Sequence, residues 1–212
     1  MKKGILFIGA LSALIFFASY KKGTHSVGDG SKTVKIGKQV WMAENLDVET
    51  YRNGDSIPQV KSPEAWEKLK TGAWCYFENK TEYGLKYGKL YNWYAVNDPR
   101  GLAPEGFHIP SDKEWEQLNA DVEEEVGASL KSKKGWKENK LASNHTGFSA
   151  IPGGYRVSKG PFIHEGILAC FWSSTSKTPI EAWGRTLKYD YVDMGRDAGN
   201  KGSGLSVRCI ED

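Results

Sequence analysis

Three cysteines are the residues of this 212-residue chain with the greatest potential for chemistry. A thiolate can attack a substrate, bind a metal or form a disulfide. Cys75, Cys170 and Cys209 lack the Cys-x-x-Cys or Cys/His spacing of a metal site. Nothing around Cys75 or Cys170 predicts a helix N-terminus or clustered cations that would lower a thiol pKa. We therefore expect structural cysteines, with one disulfide and one buried thiol.

Other catalytic patterns are incomplete. Ser174 and Lys177 have Ser-x-x-Lys spacing, but the Ser-Asp-Asn and Lys-Thr-Gly partners of that motif in penicillin-binding enzymes are missing. The histidines are isolated in sequence, without metal-ligand spacing or a Ser/His/Asp arrangement. We predict no catalytic residues, no cofactor and no enzymatic activity.

Aromatic residues near the end of the chain favour binding instead. Three of them have odd numbers on a predicted strand, Ala182–Tyr191, so they would share one face. Sugar rings stack on such faces, although a strand face can equally pack against the core. The predicted ligand-binding residues, on this strand and in the loop after it, are Trp183, Tyr189, Tyr191, Asp193 and Arg196.

Carboxylates in the same region could gather around a cation. Asp190, Asp193 and Asp197, with Asn200, supply the oxygen ligands that Ca²⁺ prefers. The Glu-Pro-Asn or Gln-Pro-Asp signature of calcium-dependent lectins is missing, and we predict no metal site.

The net charge of +3 arises from the N-terminus. Lys2, Lys3, Lys21 and Lys22 account for four of the 29 basic residues, and the remaining 25 face 26 acidic ones. The lysines between Lys131 and Lys140 read as a solvated loop. We therefore expect no nucleic-acid partner.

Residues 1–22 read as an export signal. A Lys2-Lys3 start precedes an apolar run from Ile5 to Phe17. The end of the segment is similar to a lipoprotein cleavage box, but Tyr20 replaces the cysteine that would be lipidated. An altered lipoprotein box, unusual cleavage and a retained anchor all remain open. We expect an exported protein of the cell envelope, outer membrane or cell surface that meets membranes only through this leader.

The rest of the chain predicts a linker at residues 23–32 and one α+β domain at residues 33–212. Gly37-Lys38 separates two strand-like runs and predicts a hairpin that places Val34 opposite Trp41. Ser111 and Glu114 form a capping box at the start of the main helix, which Gly127 would end. Five strand-like runs follow, at 148–151, 154–157, 170–174, 182–191 and 205–210. Helices early and strands late favour α+β over alternating βαβ units.

Several phrases together resemble the Fibrobacter succinogenes major paralogous domain, a family of exported bacterial proteins. They include Gln39-Val-Trp-Met-Ala-Glu-Asn-Leu46, Tyr87-Gly-Lys-Leu-Tyr-Asn-Trp-Tyr-Ala-Val96, Pro104-Glu-Gly-Phe-His-Ile-Pro110, Phe148–Arg156 and Ser206-Val-Arg-Cys209. Ile109–Trp115 is also similar to a helix start in formylglycine-generating-enzyme domains. Cys170 and Ala103 depart from the family pattern.

The resemblance implies a C-type-lectin-like fold: a compact domain with a twisted antiparallel sheet, one main helix and long loops. It also implies a Cys75–Cys209 disulfide, since both cysteines belong to the family pattern. We expect a non-enzymatic binding or scaffold domain whose partner is a glycan or a cell-surface protein. The alternatives are an oxidative enzyme similar to formylglycine-generating enzymes and a purely architectural surface module.

Overall fold

The structure, a computed structural model, describes residues 24–26 and 32–212, in which helices are short. The predicted leader at residues 1–22 lies outside this part of the chain. The longest helix has ten residues, so the helices cover sheets and do not form a bundle. The five α-helices of the described residues are α1 (Pro63–Glu67), α2 (Thr81–Tyr87), α3 (Trp93–Val96), α4 (Asp112–Asp121) and α5 (Val126–Leu130), with a 3₁₀ turn at Phe77–Asn79.

Twelve strands in the same residues form two five-stranded sheets and a two-stranded ribbon. The first sheet has the order β1-β2-β3-β12-β6, and the second has the order β11-β10-β9-β7-β8. The first-sheet strands are β1 (Thr24–Ser26), β2 (Lys32–Ile36), β3 (Gln39–Met42), β6 (Phe107–His108) and β12 (Ile210–Glu211). The second-sheet strands are β7 (Gly153–Arg156), β8 (Phe162–Glu165), β9 (Leu168–Ser176), β10 (Glu181–Lys188) and β11 (Gly195–Asn200), and the ribbon pairs β4 (Trp74–Cys75) with β5 (Leu90–Tyr91).

The first sheet contains the predicted hairpin. Val34 pairs with Trp41 across β2 and β3, which confirms the predicted register. Gly37 supplies the positive φ, +58°, that its two-residue turn needs. β1 lies within the predicted linker and pairs with β2.

The capping box at the start of α4 is also confirmed. Ser111 accepts a hydrogen bond from the Glu114 backbone, and the Glu114 carboxylate accepts one from the Ser111 backbone. The helix ends at Asp121, earlier than predicted, because positive φ angles at Glu123 and Glu125 interrupt it. Gly127 lies inside α5, where an added Cβ would stand 2.3 Å from the Asp193 carbonyl oxygen.

The second sheet differs from a purely antiparallel one, because β7 and β9 pair in parallel. Residues directly opposite one another in paired strands project to the same side. The register therefore gives the sheet two distinct faces. The glycine face carries Cys170, Trp172, Gly184, Thr186, Gly195, Asp197 and Gly199. The helix face carries Phe171, Trp183, Arg185, Leu187 and Arg196.

The two faces bury different parts of the core. Cys170 and Trp172 of the glycine face pack into a cluster with Leu205, Val207 and other apolar residues. Phe171 and Leu187 of the helix face pack into a second cluster, which includes the indole of Trp115 on α4. The second sheet therefore runs between two hydrophobic cores.

The observed class is α+β, as predicted, with sheet predominating. Two of the predicted late strands are wrong in extent. Residues 148–151 form only an isolated bridge, between Ala150 and Lys131. Of residues 205–210, only Ile210 belongs to a strand, β12. The sequence does not predict β8 or β11. For β11 the reason is composition, because Gly195–Asn200 lacks the β-branched and aromatic residues that favour strands.

Candidate functional site

A cavity of about 250 Å³ opens on the glycine face of the second sheet. Strands β9, β10 and β11 form its floor, and Tyr155 of β7 and the segment before β12 form its walls. The side chains that line it include those of Tyr155, Leu168, Cys170, Thr186, Asp197 and Ser203.

The cavity exists because glycines replace side chains on this face. Gly184 lies between Trp172 on β9 and Asp197 on β11. An added Cβ at Gly184 would stand 2.8 Å from the Phe171 carbonyl oxygen, too close for any side chain without a backbone shift. An added Cβ at Gly199 would stand 3.0 Å from the Trp172 ring. Close backbone packing therefore selects glycine at Gly184, and the missing side chains leave a hollow.

Polar groups surround this hollow. The Asp197 side chain is exposed, and its carboxylate has no hydrogen-bond or ion-pair partner among residues 32–212. Tyr155 is half-buried beside Cys170, and burial raises the pKa of its phenol. Ser203 is buried and contributes to the wall. The lining combines apolar groups with a few hydrogen-bonding groups, as small-ligand sites do.

Cys170 lines this cavity but is poorly suited to act as a nucleophile. Burial raises the pKa of its thiol to about 12; the Asp197 charge adds to this shift and a hydrogen bond with Thr186 opposes it. At neutral pH the reactive thiolate is therefore scarce.

The predicted Cys75–Cys209 disulfide is not formed. All three cysteines are free and buried, and burial raises the pKa of both Cys75 and Cys209 to about 12. Cys75 packs with Trp66, Phe77 and neighbours in one hydrophobic cluster, whereas Cys209 packs in the cluster under the glycine face. The fold therefore places these two cysteines in different hydrophobic clusters.

The predicted residues Trp183 and Arg196 lie on the opposite, helix face. The Arg196 guanidinium carbon lies 3.5 Å from the centre of the Trp183 ring, and the Lys177 ammonium lies 4.9 Å from it. These two cations occupy positions over the indole that a stacking sugar would need.

The same arginine joins the sheet to α4. Arg196 Nη2 lies 2.7 Å from one carboxylate oxygen of Asp112, and Arg185 Nη1 lies 2.6 Å from the other. Burial alone would raise the pKa of the Asp112 carboxyl, but hydrogen bonds from Arg196 and Arg185 hold it below its usual value. Arg185 and Arg196 thus tie the helix face of the sheet to α4 through a charge network.

The other predicted residues lie in the loop after β10. The strand ends at Lys188, so Tyr189 and Tyr191 do not continue it, and the predicted aromatic platform is absent. Tyr189 packs against the second hydrophobic cluster, whereas Tyr191 is 58% exposed and Asp193 is exposed.

Lys131 fixes this loop. Its ammonium donates hydrogen bonds to the carbonyl oxygens of Lys188 (2.7 Å) and Tyr191 (2.6 Å). Lys131 is fully buried, contrary to the predicted solvated lysine loop, and burial lowers its pKa. The sequence shows no apolar spacing that distinguishes this lysine from its exposed neighbours.

In the described part of the chain, no group of three or more histidine, cysteine or acidic side chains is arranged to hold a metal. Asp190 of the possible calcium set pairs instead with Lys188, at 3.1 Å. Within residues 24–26 and 32–212, no helix has the length and apolar character to span a membrane.

Comparison with known sequences identifies the family. The Fibrobacter succinogenes major domain matches residues 34–211, which is most of the chain. No match was found among curated proteins, and none among solved structures. Because the matched region includes both sheets from β2 onward, the chain belongs to the Fibrobacter succinogenes major domain family.

Proposed function

We propose that this protein is an exported, non-enzymatic binding or scaffold domain of the cell envelope, with a C-type-lectin-like fold. We further propose that the glycine-face pocket holds one sugar unit at the end of a glycan. The observation that carries the proposal is the pocket itself, an apolar hollow with Tyr155, Ser203 and Asp197 around it.

The size of the pocket favours a single ring. Pockets for drug-sized ligands occupy roughly 300–1,000 Å³, and this one has about 250 Å³. Leu168 and the glycine backbone offer apolar contact, and Tyr155 offers an aromatic surface. Asp197 and Ser203 offer hydrogen-bond partners for hydroxyl groups. A sugar ring, with apolar C–H faces and polar edges, matches both kinds of surface.

The burial of the cysteines and the raised pKa of their thiols favour binding over oxidative catalysis. An enzyme similar to formylglycine-generating enzymes needs a pair of reactive cysteines in an open site. Cys170 is the cysteine that lines the pocket, and burial raises its thiol pKa to about 12. Cys75 and Cys209 are fully buried in the cores.

The distribution of exposed apolar residues supports a purely architectural role less well than it supports a binding role. Three large apolar side chains of the described residues are more than half exposed: Leu85 on α2, and Ile180 and Tyr191 on either side of strand β10. At about 3.4 Å per residue, the eight residues of β10 place Ile180 and Tyr191 roughly 25 Å apart. Ile180 and Tyr191 therefore do not form one continuous apolar patch of the kind that marks an assembly interface.

The loop around Tyr191 is a second candidate site, for a surface protein. Tyr191 is exposed, and the Lys131 hydrogen bond holds its backbone in place. Tyrosine and arginine are enriched at interface hot spots, and Arg196 lies after the same loop.

A glycan array followed by calorimetry of the hits tests the proposal and separates the two sites. Thr186→Tyr fills the pocket from the glycine face and should abolish sugar binding. Tyr191→Ala and Trp183→Ala change the loop and the helix face, and should leave sugar binding within about twofold of wild type. Circular dichroism verifies that each variant is folded. Loss of binding in Tyr191→Ala with retention in folded Thr186→Tyr would move the site to the loop, and a blank array would reject glycan binding.

A further inference from the structure

The Asp197 carboxylate differs from most acidic groups around it because its charge is not compensated. Asp112 binds two arginines, Asp190 pairs with Lys188, and Glu165 pairs with Lys86. Asp197 has no such partner in the part of the chain that the structure describes. It faces the pocket directly across from Gly184, which has no side chain to shield it.

Arg185 also borders the pocket but does not neutralise it. Its side chain projects to the helix face, where Nη1 lies 2.6 Å from Asp112 Oδ1 and Nη2 donates to the Asp112 carbonyl oxygen at 3.0 Å. The guanidinium is almost fully buried in this network. Its hydrogen bonds are already committed to Asp112, so the charge that a ligand meets on the glycine face is that of Asp197.

We propose that the glycine-face pocket selects sugars bearing a free, protonated amine, which Asp197 binds, and disfavours acidic sugars. This inference rests on the proposed function and defines its ligand class. A hydrogen bond between an ammonium and a carboxylate is stronger than one between a neutral hydroxyl and a carboxylate. A carboxylated sugar would place like charges together.

Calorimetry with four methyl glycosides tests the inference: those of glucosamine, N-acetylglucosamine, glucose and glucuronic acid. Near pH 6, below the usual pKa of an amine, the glucosaminide is charged. We expect it to bind at least about fivefold more tightly than the neutral sugars, and the glucuronide to bind most weakly. The advantage should shrink in high salt, because salt screens charge interactions.

Asp197→Asn is the decisive variant, and Asp193→Asn is its matched control. Asp193 is an exposed aspartate on the loop outside the pocket. Asp197→Asn should bring the glucosaminide to the affinity of the neutral sugars, whereas Asp193→Asn should keep the wild-type order.

The possible outcomes separate this inference from the proposed function. Equal affinity for charged and neutral sugars in the wild type, or an unchanged preference in Asp197→Asn, overturns the charge selectivity but leaves sugar binding intact. Binding of none of the four sugars, in a protein shown to be folded, overturns both.

Discussion

The two faces of the second sheet use the same strands for opposite purposes. On the helix face, Arg185 and Arg196 converge on Asp112 and attach the sheet to α4. On the glycine face, Gly184 and Gly199 withhold side chains and leave a pocket. Side chains with strong chemical character serve the fold here, and the proposed binding site lies where side chains are missing.

The difference arises within single strands. Gly184 and Arg185 are neighbours on β10, and alternation sends them to opposite faces. Arg185 helps to anchor the sheet to α4. This anchoring stabilises the strands that form the pocket floor. Changes on the helix face should therefore affect stability and leave binding intact, whereas changes on the glycine face should affect binding, in some cases together with stability.

The largest expected effect is that of Asp112→Ala. The substitution leaves Arg185 buried without its carboxylate, and breaking a buried ion pair costs about 3–5 kcal/mol. Urea unfolding of the purified domain measures this loss. Glu116→Ala is the control, since Glu116 is mostly exposed and lies 3.7 Å from Arg196; it should change stability by no more than about 0.5 kcal/mol. A decrease in the free energy of unfolding of less than about 1 kcal/mol in Asp112→Ala would show that the network contributes little to the attachment of α4 to the sheet.

Gly184→Ala should weaken both binding and stability. The new methyl would meet the Phe171 carbonyl oxygen, and overpacking of this kind costs about 1–3 kcal/mol. It would also reduce the pocket, so sugar affinity should fall. Gly202→Ala is the matched control, because the atoms nearest to its methyl would be Asn200 Oδ1 at 3.2 Å and Ser158 Cβ at 3.4 Å, which leave more room than at Gly184. Unchanged sugar affinity in a stable Gly184→Ala variant would argue against the pocket.

Trp183→Ala should destabilise the protein without affecting sugar binding. It removes the ring on which Arg196 stacks, and the lost cation–π and packing contacts amount to about 1–2 kcal/mol. Thermal unfolding and calorimetry on the same sample measure the two effects. Loss of sugar binding at an unchanged melting temperature would place the site on the helix face.

The smallest effect concerns pH and the attachment of α4 to the first sheet. Nδ1 of His108 lies 2.8 Å from Asp212, and Nε2 lies 2.8 Å from Glu114. Burial alone would lower the pKa of His108, but these two carboxylates raise it above its usual value. Burial likewise would raise the pKa of Glu114, but hydrogen bonds from Ser111 and His108 lower it.

These shifts fix the sign of the pH dependence. The stabilisation from protonated His108 is complete below its usual pKa of 6.5 and is lost as pH rises through the raised folded value. That from Glu114 is present above its usual pKa of 4.5 and is lost as pH falls through the lowered folded value.

His108→Gln should remove part of the fall in stability between about pH 6 and pH 8. The effect should stay below about 1 kcal/mol, since the His108 side chain is 39% exposed and water screens both pairs. Urea unfolding at both pH values measures it, with exposed His145→Gln as the control. A wild-type pH slope in His108→Gln would contradict this assignment, and sugar affinity should not change.

The sequence predicts the local elements well. The Gly37 turn and the Ser111 capping box depend on contacts within a few residues, so their patterns are sufficient. The Ala182–Tyr191 strand was extended too far because alternation alone does not show that Lys188 is the last paired residue. The Cys75–Cys209 pairing was wrong because a shared family pattern does not fix which core each thiol enters.

The candidate site was harder to predict, for a physical reason. A sequence indicates side chains with the chemistry for binding, and here it indicates Trp183 and Arg196. The pocket depends instead on Gly184 and Gly199 lying on one face, across a pairing that only the folded register defines. From sequence alone, Asp197 is a possible calcium ligand. Its position opposite Gly184 in the folded sheet suggests a different role, which we propose above.

Mapping amide chemical-shift changes by NMR during titration with methyl glucosaminide tests the central claim most directly. Sugar binding on the glycine face predicts changes concentrated at Tyr155, Gly184 and Gly199, which disappear in Thr186→Tyr. Changes confined to Tyr191 and Asp193, or none at saturating sugar, would contradict it.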